Sequence, residues 1–317
     1  MKYLVTGAAG FIGYHVSLRL LQAGEQVIGL DNLNTYYEPQ LKLDRLSRLK
    51  TFPAFNFVYG DISDYALLEN VFSTTTADKV CHLAAQAGVR YSLKDPFAYQ
   101  KSNLDGFLNI LECCRKYPVM NLVFASSSSV YGNDSSTPFK IDYRTDQPLS
   151  LYAATKKANE LMAYTYHHLY GLKTTGLRFF TAYGPWGRPD MAYFKFTRDI
   201  LEGKPIDVYN HGQMERDFTY IDDIVEGVIS ALDKDYEYEI FNLGNSQPEP
   251  LGDFINYLEK ILGKTAQKNY LPLQPGDMVK TYADISYSIE KLGYQPRTKL
   301  YDGLTQFVKW YREYYQV

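Results

Sequence analysis

A phenol and an ammonium lie four residues apart at Tyr152 and Lys156, a spacing that puts both on one face of a helix. A cation beside a phenol favours the phenolate, lowering its pKa from ~10 toward a value useful to a general base near neutrality. The same spacing recurs at Tyr287 and Lys291, far down the chain with no glycine loop or serine cluster at a fitting distance, which reads as a surface helix pair. Only the first pair has a chemical context. It follows Phe124-Ala125-Ser126-Ser127-Ser128-Ser129-Val130-Tyr131-Gly132, an apolar run that ends in hydroxyls. Strand ends of an open α/β sheet are where ligands bind, so hydroxyls there can donate to a reacting oxygen.

A second constellation binds rather than reacts. Gly7-Ala8-Ala9-Gly10-Phe11-Ile12-Gly13 follows an apolar run and opens a helical pattern. Glycines permit a tight turn and close backbone approach, so a pyrophosphate can sit on the helix N-terminus against Gly7, Gly10, Phe11, Ile12 and Gly13. Asp31 ends the next apolar run, eighteen residues beyond Gly13, with Asn32 after it. A carboxylate there accepts from the adenosine ribose hydroxyls and repels a 2′-phosphate, which favours NAD over NADP.

Positioning these groups takes a sheet. Apolar runs at Tyr3–Thr6, Val27–Leu30, Phe57–Tyr59, Val80–Leu83, Leu122–Ala125 and Thr174–Phe180 alternate with helical patterns at Phe11–Ala23, Leu41–Leu49, Tyr65–Phe72, Phe97–Tyr117 and Leu151–Tyr170. The alternation predicts βαβ units, and so an α/β, doubly wound parallel Rossmann-type sheet with right-handed crossovers. With 317 residues, 45% apolar and 22% charged, the chain can bury one large core and a smaller second lobe. A net charge of -3 with no long single-sign run leaves no footprint for nucleic acid or an anionic membrane. Cys81, Cys113 and Cys114 show neither disulfide nor metal-ligand spacing, and the five histidines lack a paired nucleophile, so no metal is expected. No apolar run reaches membrane-spanning length and no leader precedes the first strand, which places the protein in the cytoplasm.

The G-x-x-G-x-x-G loop, the serine cluster, Tyr152-Ala153-Ala154-Thr155-Lys156 and the run Leu177 to Ala192 together resemble the nucleotide-sugar epimerases of the extended short-chain dehydrogenase/reductase family, over essentially the whole chain. The resemblance selects Ser127, twenty-five residues before Tyr152, as the catalytic hydroxyl. It also implies that Asp61 and Ile62 line the adenine pocket, and that His82-Leu83-Ala84-Ala85 runs beneath the pyrophosphate and ribose, with His82 itself a packed strand-end residue. It places Asn103, in the helix beneath the active site, among the cofactor contacts together with Tyr152 and Lys156, the last of which contacts the nicotinamide ribose.

For the substrate the resemblance implies UDP, with Arg216 on the diphosphate, Tyr209 on uracil, Lys195 flanking that pocket and Asp277 on the uridine ribose. A hydroxyl at Thr181, the serines Ser128 and Ser129, and the arginines Arg90 and Arg188 suit a sugar with an anionic group at C6. UDP-glucuronate is therefore the expected substrate, epimerised at C4 to UDP-galacturonate through a 4-keto sugar. A UDP-glucose/UDP-galactose 4-epimerase, a UDP-glucuronate decarboxylase and a catalytically idle cofactor-binding protein are the alternatives. The same resemblance implies a cofactor domain over residues 1–180 plus about 214–244 and a UDP-sugar lobe over about 181–213 plus 245–317. It further implies a homodimer through a four-helix interface.

Overall fold

Helix α1 (Phe11–Gln22) starts directly off the glycine loop, which itself follows strand β1 (Lys2–Thr6). In the computed structural model, which describes residues 1–132 and 136–317, the same strand-helix unit repeats along the first half of the chain. It runs β2 (Gln26–Asp31), α2 (Pro39–Leu49), β3 (Phe55–Tyr59), α3 (Tyr65–Thr75), β4 (Lys79–His82), α4 (Pro96–Tyr99), α5 (Gly106–Lys116), β5 (Asn121–Ser127), α6 (Leu151–Tyr170) and β6 (Thr174–Phe179). Then come β7 (Thr181–Tyr183), α7 (Ala192–Leu201), β8 (Ile206–Tyr209), β9 (Glu215–Tyr220), α8 (Ile221–Asp233) and β10 (Tyr238–Leu243). The chain closes with β11 (Pro248–Pro250), α9 (Leu251–Leu262), β12 (Lys268–Leu271), α10 (Ser286–Leu292) and α11 (Leu300–Tyr315).

Seven parallel strands pair in the order β10-β6-β5-β4-β1-β2-β3. Strands β1, β2, β4, β5 and β6 are buried almost throughout, as a parallel sheet covered by helices on both faces requires. Two apolar clusters cover the two faces: one includes Val5, Tyr14, Val123 and Ile224, the other Leu4, Leu68, Phe107 and Phe124. The order reverses between β1 and β4, and the carboxyl ends of both strands face a crevice there, the usual ligand position in such a sheet. After β6 the chain leaves the main sheet. Strand β7 pairs with β9, β9 with β11, and β8 with β12, forming two small sheets beside the crevice.

The helix expected over Phe97–Tyr117 is interrupted. A wide π turn over Gln100–Asp105 separates α4 from α5, and Asn103 sits within it, 1% exposed. Periodicity does not reveal a turn that adds one residue to the helical repeat; side-chain partners across the fold hold it, as described below.

Candidate active site

The crevice continues from the glycine loop to β9 as one cleft of about 720 Å³. Its cofactor half is built by strand ends. Gly7 takes a positive φ of 71°, and a Cβ on it would meet the Ala84 nitrogen at 2.8 Å, so only glycine lets the first strand turn this close to Leu83 and Ala84. Helix α1 begins at Gly10 with no side-chain cap, leaving its first N–H groups directed at the cleft. Asp31 is 8% exposed and accepts hydrogen bonds from the Ala9 and Leu33 backbone N–H groups, at 3.1 and 2.8 Å. Asn32, Ile62, Leu83, Ala84 and Ala85 also line the cleft.

Asp61 stands behind this lining. It accepts from Ser63, Asn32 and Lys101, contacts that hold its carboxyl below the usual range against the opposing effect of burial. His82 is buried, bonded to the Thr6 hydroxyl at 2.8 Å, and burial pushes it down to about 3, which fits a packed neutral residue. Asn103 differs from its expected place among cofactor contacts. Its amide nitrogen donates to the Gln86 carbonyl and the Thr155 hydroxyl, and its amide oxygen accepts from the Gln86 N–H. With both ends committed to protein, it positions the loop after β4 rather than facing the cleft.

The reacting groups meet where β5 and α6 converge. Ser150 caps α6 by accepting from the Ala153 N–H, fixing the helix start so that Tyr152 and Lys156 both line the cleft. Ser127 ends β5; its oxygen accepts from the Ser129 hydroxyl at 2.9 Å, and it lines the cleft together with Tyr152. Ser126 points elsewhere, donating to buried Glu160 at 2.7 Å. The two neighbouring serines are thus separated by the alternation of a strand. Burial raises the Tyr152 pKa, while Ser127 and the Arg188 charge lower it.

The Lys156 ammonium is anchored at the end of β5. It donates to the Ala125 carbonyl at 2.9 Å, and burial brings it down to about 8. Residues i and i+4 share a helix face, but the long lysine stem turns toward the end of β5. The Arg188 charge also favours the ionised Tyr152 phenol. Tyr287 and Lys291 lie on α10, where the Tyr287 hydroxyl donates to Glu239, away from the cleft.

Ser128, Ser129, Thr181 and Arg188 line the cleft beyond Tyr152. Arg188 makes two contacts with Asp190, at 2.6 and 3.1 Å, and Tyr36 donates to the same carboxylate at 3.0 Å. Burial works against the Arg188 charge, but Asp190 more than offsets it and raises the pKa. Trp186, just before, has φ of 60°, a left-handed conformation that costs a bulky residue about 1–3 kcal/mol.

At the far end, Arg216, Tyr209, Lys195 and Asp277 line the cleft. Arg216 is held by the carbonyls of Glu215, Met278 and Val279, and burial lowers it to about 10. Arg90 departs from expectation. Its guanidinium pairs with Asp277 at 2.6 Å and stacks over the Tyr209 ring at 4.2 Å, so it groups with these residues and not with Thr181 and Arg188. The loop after β4 turns at Gly88, φ 105°, just ahead of Arg90.

Three groups in the cleft escaped sequence reasoning: Tyr36, Asp190 and Lys42. Among thirty tyrosines Tyr36 gives no signal, and Asp190 and Lys42 are meaningful only through Arg188 and Asn34, the residues each one contacts. Among the described residues no cluster of His, Cys, Asp and Glu suits a metal ion, and no helix is long and apolar enough to cross a membrane.

A sequence model of the NAD dependent epimerase/dehydratase family matches residues 3–244. The chain belongs to this family. Protein CapI from Staphylococcus aureus is 49% identical over 336 residues, covering 100% of both chains. UDP-glucuronate 4-epimerase 3 from Arabidopsis thaliana is 52% identical over 330 residues, 98% of this chain and 76% of that one. The crystal structure of UDP-glucuronic acid 4-epimerase from Bacillus cereus, in complex with UDP-glucuronic acid and NAD, has a TM-score of 0.95 at 37% identity, covering 99% of this chain and 100% of that one.

NAD, the family's cofactor, fits the groups present. The uncapped start of α1 offers N–H donors to a diphosphate, and a Cβ on Gly10 would meet nothing but the Gly7 carbonyl, leaving open space on the cleft side. Asp31 closes the end of β2 with a negative charge that excludes a 2′-phosphate.

Proposed function

We propose that this family member interconverts UDP-glucuronate and UDP-galacturonate by inverting C4. One observation carries this reading: Tyr152 and Ser127 stand between the dinucleotide loop on one side and a hydroxyl and guanidinium cluster of Ser128, Thr181 and Arg188 on the other. Bound NAD supplies a hydride acceptor at C4 and returns the hydride later, so the net reaction is redox neutral. Tyr152 takes the C4 hydroxyl proton, and Ser127 shares its hydrogen bond with the same oxygen. The Lys156 charge sits at the cofactor end, where it favours the ionised phenol once the ribose is in place. Arg216 and Asp277 anchor the nucleotide, with Tyr209 and Lys195 beside them, while the sugar turns over to present its other face.

The 4-keto sugar acid is a β-keto acid, so an epimerase must prevent loss of CO₂. Ser128, Thr181 and Arg188 hold the carboxylate solvated and turned away from the carbonyl π system, because an unpaired charge in a desolvated site would favour its own expulsion. Hydrogen bonds to charged groups stabilise by about 1.5–3 kcal/mol each, so a few suffice. Incubation with UDP-glucuronate should yield UDP-galacturonate, with UDP-xylose a minor product. Thr181→Val should slow turnover of the acid about 10-fold or more, consistent with one lost charged-group bond, while leaving free UDP binding nearly unchanged and raising the UDP-xylose fraction. Chromatography of the products over time checks both. Predominant UDP-xylose from wild type, or much faster turnover of UDP-glucose, would remove the substrate assignment.

A homodimer through α4–α5 and α6 is the assembly that best fits the surface. Phe97, Leu108, Leu161 and Tyr164 on these helices are 77, 42, 57 and 52% exposed, an apolar area that two copies can cover as a four-helix bundle. Leu161→Asp should shift the protein from dimer to monomer in light scattering. An unchanged mass would place any dimer contact elsewhere.

A further inference from the structure

Arg45, on α2, is 0% exposed, and every acceptor it meets is neutral. Its Nε donates to the Trp186 carbonyl; Nη1 donates to the Ala9 carbonyl and the Tyr37 hydroxyl; Nη2 donates to the Trp186 and Gly187 carbonyls. These bonds run from 2.6 to 3.1 Å and occupy all five N–H groups of the guanidinium. A buried cation without a carboxylate is costly. This one is retained at the junction of two loops that do different jobs.

One of them is the glycine loop. Ala9 is gripped from both sides, its N–H by Asp31 and its carbonyl by Arg45. The other is the substrate-side loop that ends in Arg188. Its successive carbonyls at Pro185, Trp186 and Gly187 are each held from the cofactor domain, the first by His15 at 2.9 Å and the other two by Arg45. Burial lowers His15 to about 4, so the neutral ring donates from Nε2. Trp186 between them is in the left-handed region, and its indole packs against Tyr14, Trp310 and Tyr314. Such a conformation persists only where the surroundings over-determine it.

We infer that Arg45 is a positioning residue: it clamps Trp186 in its left-handed conformation onto the glycine loop, and thereby sets Arg188 beside Tyr152 only when the cofactor loop is in order. The clamp makes cofactor placement and sugar placement one rigid unit, although Arg45 touches neither ligand. No other guanidinium or ammonium geometry replaces it, because a lysine brings three donors from one point and cannot bridge carbonyls on two loops.

The inference rests on the proposed uronate chemistry, and wild type is the control that separates the two. Arg45→Met and Arg45→Lys are compared with wild type in turnover of UDP-glucuronate, in affinity for free UDP, and in melting temperature. Both variants should lose about 10²-fold in kcat, the scale for a misplaced active-site group, with free UDP affinity within a few-fold of wild type. Trp186→Ala, which removes the indole packing on Tyr14, Trp310 and Tyr314, should cost little more in an Arg45→Met background than Arg45→Met alone, since both changes release the same loop. A lowered melting temperature with unchanged kcat in either single variant would mean that Arg45 only stabilises the fold, and would overturn the inference. Additive losses in the double variant would overturn it too. If wild type itself does not turn over UDP-glucuronate, the functional proposal fails instead, and Arg45 is then read from the same variants with whichever UDP-sugar wild type does epimerise.

Discussion

Tyr152→Phe should lower kcat by about 10²–10⁴-fold while leaving the fold and UDP affinity close to wild type. In the proposed reaction the phenol exchanges the C4 proton, and Ser127 and the Arg188 charge favour its ionised form. Removing one oxygen leaves the ring packed edge-on to Tyr99, so little structure is disturbed. The expected signature is therefore a loss in kcat without a comparable rise in the dissociation constant for UDP. Activity within a few-fold of wild type would remove Tyr152 from the mechanism and shift attention to Ser127, the hydroxyl it meets.

Gly13→Ala is the second large effect. An added Cβ would lie 2.0 Å from the Gly7 carbonyl oxygen and 2.7 Å from its carbon, both backbone atoms that cannot swing away. The loop must open to accept it. Overpacking of this kind costs about 1–3 kcal/mol, or roughly 5- to 150-fold in cofactor affinity if the strain falls on the bound loop. Wild type, whose reaction cycle is redox neutral, should release about one NAD per chain on denaturation. The variant should release far less and regain activity only with added NAD. Equal NAD content in the two proteins would mean that the close approach is not what shapes the site, and recovery of NADP from wild type would contradict the role of Asp31.

Much of this protein could be read from its chain because the informative features are local. A glycine loop between a strand and a helix, an acid at the next strand end, and a tyrosine and lysine at helical spacing are each set within about a turn of backbone, so their types and spacing carry the physics. The parallel sheet follows for the same reason: strands alternating with helices leave few topologies. What tertiary structure alone decided lies where partners are distant in sequence. Nothing near Arg90 announces Asp277, 187 residues away, yet that pair holds the guanidinium over the Tyr209 ring. The Lys156 ammonium finds the Ala125 carbonyl, 31 residues earlier. Asn103 is committed to Gln86 and Thr155 across a π turn that no periodicity displays. Arg45, which reads as an ordinary charge on an amphipathic helix, is buried because three carbonyls from two remote loops converge on it. Sequence determined which chemical groups this protein possesses and the sheet that carries them. The pairing of long, charged side chains is set by the whole packed interior, since each must satisfy its donors and its charge wherever the fold leaves an acceptor.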